Sequence, residues 1–467
     1  MTYVSIRQDL CDGKICQYPD VGWLQDVLPI QTVEELLDTY QLWESREKRL
    51  NMVSIVYWLL ALHLYPHLSQ RRVYSKLLSP LRAVRDDVAE QLPSKGAFSY
   101  RREQLGSEPM KELFHQLARP QATPETPGAF WKDRRLMALD GTRESLPDTW
   151  ANRVAFQYST DDQDNHSPFP QARVLLLVEC GTHLICDAEL GSVREGEPTL
   201  GRDLLTRTDW RDTLVMWDRN FHANRAIFHV SNAGGHVLGP IRSNVLTRPW
   251  VTLCDGSQLV WIREERGRRR GPEKQVRILS YTFTDPRFPQ AGKRVDRLVT
   301  TLLDPFRYPA KDLAVLYHER WQVEMVIDET RCDLRLSEQT LRSRTPEGVE
   351  QERYALLLVH VLVRTLMLQA AEKEEIAPTR LSFTETVRIL DEHLVPLALV
   401  PAARRTHLIE LLLHEIGQQR LPTQPLRIQA RVLKRAHPRY AHKKPEHWHV
   451  IPFRVDLDFH DVIAFVV

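Results

Sequence analysis

Net charge is almost missing from this 467-residue chain: 63 Lys and Arg face 61 Asp and Glu, for a formal +2. Overall charge therefore announces neither a nucleic-acid nor a membrane partner. Cysteine is sparse and scattered. Cys11, Cys16, Cys180, Cys186, Cys254 and Cys332 form no CxxC pair and no Cys/His zinc spacing, which excludes a zinc ribbon and fits a reducing compartment. No G-x-S-x-G elbow and no P-loop occurs, so the usual serine hydrolase and nucleotide-binding signatures are absent. The N-terminus lacks the basic-then-apolar pattern of a secretory signal. The two most apolar runs are Met52–Tyr65, which is short and holds His63, and Ala355–Ala371, which holds His360 and Arg364. Both read as buried helices and not as membrane spans. A cytoplasmic protein with no membrane partner is the expectation. There is no internal repeat and no low-complexity tract.

What is present is the composition of a globular protein: 42% hydrophobic and 27% charged residues, in a chain long enough for roughly two to four domains. The charge is unevenly spread. From Ile416 to Pro445 no acid occurs, but Arg420, Arg427, Arg431, Lys434, Arg435, Arg439, Lys443 and Lys444 do. Arg266, Arg268, Arg269, Arg270 and Lys274 form a second basic cluster. Such clusters attract phosphate backbones, and each read alone fits a solvated surface equally well.

Periodicity divides the chain. Residues 1–118 read as helical, with Val33–Trp43, Met52–Leu64 and Met110–Leu117 as examples and Ser94-Lys-Gly as a break. Three prolines in Arg119–Gly128 mark a linker, bounded here as 119–130. From 131 to 242, Arg135–Leu139, Val174–Val178, Leu184–Leu190, Leu214–Trp217 and His236–Ile241 read as strands. Leu200–Thr206 and Asn224–Val230 read as short helices, and Gly181-Thr182 as a turn. The fold class expected is a mixed α/β layer. Residues 243–303 read as a β-rich insertion with strands at Val251–Cys254, Leu259–Ile262, Val276–Thr284 and Arg297–Leu302. Helix returns near Ala310 and runs past Leu334, in a segment bounded as 304–345. Residues 346–467 read as helical and basic, with a helix from Pro346 to about Glu374 and a capping box at Ser382-x-x-Glu385.

Three local patterns can carry chemistry. Leu136-Met-Ala-Leu-Asp140-Gly and Leu214-Val-Met-Trp-Asp218-Arg each place an acid at the end of an apolar strand. Alone, either reads equally as a turn or capping aspartate. The third is Tyr317, Arg320, Glu324 and Arg331, which fall within about 60° of one another on an ideal helix. Leu316, Val323, Ile327 and Leu334 lie on an adjacent stripe, so the polar row can face a cleft. The plainer reading is an amphipathic helix with ion pairs such as Arg320–Glu324. Taken together, three acids from separate elements meet the needs of two Mg²⁺ ions about 4 Å apart, which activate a nucleophile and steady a leaving oxyanion. Neighbouring Arg and Tyr can grip phosphate without displacing metal.

These motifs resemble the insertion sequence type 4 family, a branch of the DDE transposases. That family's mark is Tyr, two residues, Arg, three residues, Glu, six residues, Lys. It appears here as Tyr317-His-Glu-Arg320-Trp-Gln-Val-Glu324 with Arg331 six residues on. The lead-in Asp304-Pro-Phe-Arg-Tyr308 and the downstream Arg342-Ser-Arg-Thr-Pro346 are similar too. So are Asp140-Gly-Thr with Pro147-Asp148 and Asn152, and Asp218-Arg-Asn-Phe221. The likeness spans Met52–Ala371. Arg331 departs from the usual Lys, and Asn220 from the Gly common after Asp-Arg, where left-handed geometry is expected to be tolerated.

The resemblance implies an RNase H-like core (131–242 and 304–345) interrupted by the insertion, with helical N- and C-terminal regions. It implies Asp140 bridging two Mg²⁺ ions, Asp218 holding one and Glu324 the other, with Mn²⁺ as a substitute. Tyr317, Arg320 and Arg331 would contact DNA phosphates, and residues 1–118 would bind the element's ends. It further implies cut-and-paste excision, double-stranded DNA with terminal inverted repeats and a target DNA as partners, a homodimeric synaptic complex and nucleoid association. A flipped base would stack on an aromatic ring, for which Trp217, Phe221 and Trp321 are candidates. The competing functions are a non-catalytic DNA-binding descendant, an RNase H-like nuclease that cuts without joining, and a scaffold whose helix merely carries ion pairs.

Overall fold

The computed structural model describes residues 24–43, 50–79, 82, 92–160, 166–221, 223–241, 249–266, 269–282, 295–335, 340–400 and 402–422. Arg268 and the basic run from Arg427 onward lie outside the described residues, as do Cys11 and Cys16. The architecture is mixed α/β: one large sheet with helices packed around it.

The N-terminal part is helical: α1 (Leu24–Val27), α2 (Ile30–Thr39), α3 (Met52–Leu64), α4 (Gln70–Leu77), α5 (Lys95–Leu105) and α6 (Glu108–Leu117). Helix α3 is apolar on every side and all but its last residue are buried, as an all-round hydrophobic helix requires. Its start is set by Asn51, whose side chain accepts from the Ser54 N–H. The Ser94 break is likewise a cap, with Oγ accepting from Ala97 N and opening α5.

Ten strands follow: β1 (Phe130–Trp131), β2 (Arg134–Ser145), β3 (Gln171–Glu179), β4 (Leu184–Ser192), β5 (Thr213–Trp217), β6 (His236–Pro240), β7 (Pro249–Thr252), β8 (Gln258–Arg266), β9 (Arg269–Tyr281) and β10 (Asp296–Thr300). Helices α7 (Trp150–Phe156), α8 (Glu197–Leu200), α9 (Arg202–Arg207) and α10 (Asn224–Asn232) lie between them. The strand order is β4-β3-β2-β5-β6-β10-β9-β8-β7, with β1 paired to β2. Strand β3 runs antiparallel to both of its neighbours, β2 and β4, whereas β5 is parallel to β2 and β6 to β5. The strands after 243 join this same sheet through β10, which pairs with both β6 and β9.

Strand β2 corrects the sequence reading. It does not end at Asp140 but continues to Ser145, because β3 pairs with it from Met137↔Glu179 to Ser145↔Gln171. Its parallel partner stops sooner, at Leu139↔Trp217. Asp140 is thus in the middle of a strand and the middle of the sheet, not at an edge. It stands at the first position beyond the pairing with β5, beside the carboxyl end of that strand.

The β3–β4 turn needs Gly181, whose φ is +83° and whose added Cβ would lie 2.4 Å from Ala129 N. Glu179 fastens this turn to the chain before the sheet by accepting from Gln121 N and Ala122 N. It also pairs with Arg135.

Beyond the sheet come α11 (Ala310–Tyr317), a 3₁₀ turn (His318–Arg320), α12 (Trp321–Asp328) and a π-helical turn (Glu329–Asp333). Then follow α13 (Pro346–Lys373), α14 (Phe383–Glu392), α15 (Leu394–Leu399) and α16 (Ala402–Gln418). Helix α13 is long and apolar enough to cross a membrane, yet 89% of its most apolar window is buried inside the protein, so it is a core helix. Thr345 caps it through Gly348 N, with Pro346 in the first turn. Its Arg353 pairs with buried Glu144, four residues beyond Asp140 on the same face of β2. Ser382 caps α14 by accepting from Glu385 N.

Candidate active site

Burial carries most of the chemistry at Asp140. It is half-buried, its Oδ1 accepts from the Gly141 N–H at 2.8 Å, and its Oδ2 accepts from Arg320 at 2.9 Å. Burial pushes this carboxyl up to about 6 from an ordinary 3.8. Arg320 and the Gly141 N–H pull against that rise, while the charges of Asp218 and Glu324 add to it.

Asp218 directly follows β5. Its Oδ1 accepts from Asn220 N (2.8 Å) and Phe221 N (3.1 Å), closing a turn. The turn does not use left-handed geometry at Asn220, contrary to the sequence reading: Asn220 is not among the positive-φ residues, and the Asp218 side chain supplies the fastening instead.

Glu324 sits on α12, where its Oε1 accepts from Arg320 at 2.7 Å. Arg320 therefore spans Asp140 and Glu324 with its two arms. Tyr317 donates to the Trp217 carbonyl at 3.4 Å, and burial pushes its phenol up to about 12. The charges of Asp218 and Asp140 contribute to that rise, which places the phenol among the acids.

Tyr317, Arg320 and Glu324 converge with the two aspartates as the spacing suggested, but not on one continuous α-helix. The 3₁₀ turn at 318–320 and the π turn at 329–333 change the angular step, so the even projection does not extend to Arg331. Arg331 is exposed on the π turn, and its charge acts on Cys332 and on buried Arg353. Of the three aromatic candidates, Trp217 and Phe221 are fully buried against each other, with centroids 5.5 Å apart, and offer no face to a base. Trp321 is 48% exposed.

A fourth acid was missed. Glu197, at the start of α8, lies directly over Gly141: a Cβ added to that glycine would sit 2.8 Å from Glu197 Oε1. Arg173 of β3 holds it at 2.8 Å. Burial raises its carboxyl first, and the charges of Asp218 and Asp140 raise it further, against the pull of Arg173. Its only sequence signal was Glu-Pro at a helix start, which countless helices share.

Among the described residues no three His, Cys, Asp or Glu side chains are already gathered tightly enough to hold an ion. The reason is visible: a guanidinium occupies the place between Asp140 and Glu324. The donor set fits a divalent cation nevertheless. The charges of two carboxylates on other elements raise the Asp140 carboxyl, and a side-chain cation bridges Asp140 and Glu324.

Comparison with known proteins identifies the family. Residues 131–362, which hold all three acids, match the family model described as the transposase DDE domain. Residues 19–115 match the insertion element 4 transposase N-terminal model. The catalytic class is thus that of the DDE transposases. A relative from Escherichia coli strain K12, the transposase InsG for insertion sequence element IS4, is 30% identical over 341 residues, covering 71% of this chain and 75% of its own length. The putative transposase InsZ of the same organism is 22% identical over 161 residues, covering 34% of this chain and 54% of its own. The chain belongs to the insertion sequence type 4 family, and it is a DNA transposase. Among solved structures, a piggyBac transposase synaptic complex with hairpin DNA aligns at 13% identity and a TM-score of 0.42, over 80% of this chain and 76% of that one. DDE transposases work with divalent metal ions.

Proposed function

We propose that the chain excises and reinserts an insertion sequence by cut-and-paste, with Asp140, Asp218 and Glu324 holding two Mg²⁺ ions and Mn²⁺ able to replace them. The observation that carries this reading is the Arg320 guanidinium spanning Asp140 and Glu324, where the charge of Asp218 also raises the Asp140 carboxyl. Four charged groups from β2, β5 and the helix after residue 310 meet there, although nothing in the packing of the core needs them to. When bound, the metal pair supplies an activated hydroxyl nucleophile and charge neutralisation of the leaving oxygen.

The chain's own residues do the rest. Asp140 contributes from the centre of the sheet and stands between the other two acids. Asp218 is held rigid by its own turn, so one oxygen is engaged while the other stays available. Arg320 leaves the carboxylates for a DNA phosphate, where its planar fork matches two oxygens. Tyr317 and Arg331 add phosphate contacts, and Trp321 offers the exposed ring on which a flipped base would stack.

The RNase H-like reading of 131–242 and 304–345 is supported by Asp140 on the first of five adjoining strands and Asp218 just past the fourth. Residues 243–303 act as an insertion that extends the sheet. Residues 1–118, before the linker 119–130, bind the terminal inverted repeats, and among the described residues the helices α13 to α16 pack against the core. Two copies synapse two ends before a target DNA is joined, and the protein works in the cytoplasm at the nucleoid.

The test is cleavage of linear DNA carrying the element's own ends, with and without Mg²⁺, followed by joining to a target plasmid. Metal-dependent cleavage with joining is the expected result. Cleavage without joining would mean a nuclease, and end binding without cleavage would mean a non-catalytic descendant.

A further inference from the structure

The π turn after the catalytic helix closes over a buried charge. Glu329, five residues past Glu324, is buried, and its Oε2 accepts from His360 Nε2 at 2.8 Å and Arg364 Nε at 3.0 Å. A second arm of Arg364 pairs with Oε1. The same Arg364 lies 3.0 Å from His183 Nδ1, on the β3–β4 turn. His183 is itself buried and held at a φ of +61°. Phe383 of α14 stacks on His360 with centroids 5.3 Å apart and lies under the Arg364 guanidinium. Three separate pieces of the fold meet on one carboxylate: the π turn, the core helix α13 and the β3–β4 turn.

A second tether lies one side of Glu324 as the first lies on the other. Gln322 Oε1 accepts from the Gly181 N–H of that same β3–β4 turn at 2.7 Å. Gly181 packs closely on Ala129, leaving no room for a Cβ, and its neighbour Thr182 donates to Glu179. Glu324 is thus carried on a segment pinned at positions 322 and 329 to one rigid corner of the sheet.

The apolar packing of Val323, Val326 and Ile327 suffices to hold a helix against the core. It does not select the rotation of that helix about its axis to within the tolerance a metal ligand needs. Removing a buried carboxylate from water is costly, and a hydrophobic group of similar shape would often serve stability as well.

We propose that Glu329, with Arg364, His183 and His360, forms a positioning element which, together with the Gln322–Gly181 hydrogen bond, aims Glu324 at Asp140. It rests on the metal-site reading given above, and assigns these residues no contact with metal or DNA.

The experiment is an electron paramagnetic resonance titration of the full-length chain with Mn²⁺ alone, beside Tm measurements and the Mn²⁺ dependence of DNA-end cleavage. The variants are Gln322→Ala, Glu329→Gln, Asp140→Asn and Phe98→Leu. Phe98 stacks on Trp58 in the N-terminal helices, remote from this corner, and serves as a control for lost stability. Gln322→Ala removes a partly exposed side chain and keeps the test alive should Glu329→Gln fail to fold. Gln322→Ala and Glu329→Gln are expected to weaken Mn²⁺ binding roughly tenfold, the usual effect of outer-sphere groups. The metal concentration for half-maximal cleavage should rise in parallel. Phe98→Leu should lower Tm with Mn²⁺ affinity unchanged. Wild-type Mn²⁺ affinity in Gln322→Ala, or in a folded Glu329→Gln, overturns the proposal. If wild type binds Mn²⁺ no better than Asp140→Asn, the metal-site reading itself fails, which is a distinct result.

Discussion

Arg320 donates to the Asp140 carboxylate at 2.9 Å across 180 positions of sequence. The same guanidinium reaches Glu324, four residues further on and on α12, at 2.7 Å. It serves the metal-free protein as an internal countercharge. Its charge lowers the Asp140 carboxyl, against the rise that Asp218 and Glu324 add.

Arg320→Ala is expected to weaken complexes with the element's ends. The slope of log affinity against log salt should become shallower by about one, the loss of one phosphate contact. An unchanged slope would show that Arg320 serves only the acids.

Asp140→Ala, Asp218→Ala and Glu324→Ala should each abolish cleavage while end binding persists, as measured by gel shift and by cleavage of the same labelled DNA. Asp328, exposed one turn past Glu324, provides the comparison. Asp328→Asn should cleave normally. The reverse pattern, a dead Asp328→Asn beside an active Glu324→Gln, would transfer the ligand role to Asp328.

Stability should depend on pH through Asp140. Its carboxyl stands at about 6 in the folded protein against 3.8 ordinarily, so the folded chain binds this proton more tightly than the unfolded one. Ionisation therefore costs stability above pH 6, and the cost fades as pH falls through the window between these two values. The full difference corresponds to at most about 3 kcal/mol, at roughly 1.4 kcal/mol per pKa unit. Metal-free Asp140→Asn should melt higher than wild type at pH 8, with the gap closed by pH 4. Saturating Mn²⁺ should raise the Tm of wild type and leave Asp140→Asn unmoved. A gap of the same size at both pH values would assign the effect to shape and not to charge.

Gly141→Ala places a methyl 2.8 Å from Glu197 Oε1, so the carboxylate must move and loosen from Arg173. Adding Glu197→Ala should relieve the clash. In a double-mutant cycle on urea stability the pair should couple by about 0.5–3 kcal/mol, the range for contacting residues. Strict additivity would mean that the glycine has no need to make room for the acid.

Much of this was legible in the sequence. The apolar run of α3, the break at Ser94 and the capping box at Ser382 depend on neighbours a few positions away. The strand before Asp218 ends where its last apolar residue does. Strand β2 was cut short in the reading because Gly141-Thr-Arg breaks the apolar pattern, while its true length follows from pairing with β3, which lies thirty residues on. Asn220 was given a backbone conformation that the Asp218 side chain made unnecessary. The π turn had no sequence mark at all, and it is what separates Arg331 from the even row drawn on an ideal helix.

By itself the sequence marked the residues to which the chemistry is assigned: an acid within one apolar strand, an acid just after another, and Tyr317, Arg320 and Glu324 at helical spacing. Those are properties of short segments, set by side-chain type and by the repeat of the local backbone. Tertiary packing alone decided that Arg320 lies between Asp140 and Glu324, that Glu197 covers Gly141, that Trp217 and Phe221 are sealed away, and that Glu329 meets Arg364 in the core. Each of these is a contact between segments far apart in the chain, and its energy exists only once desolvation has brought them together.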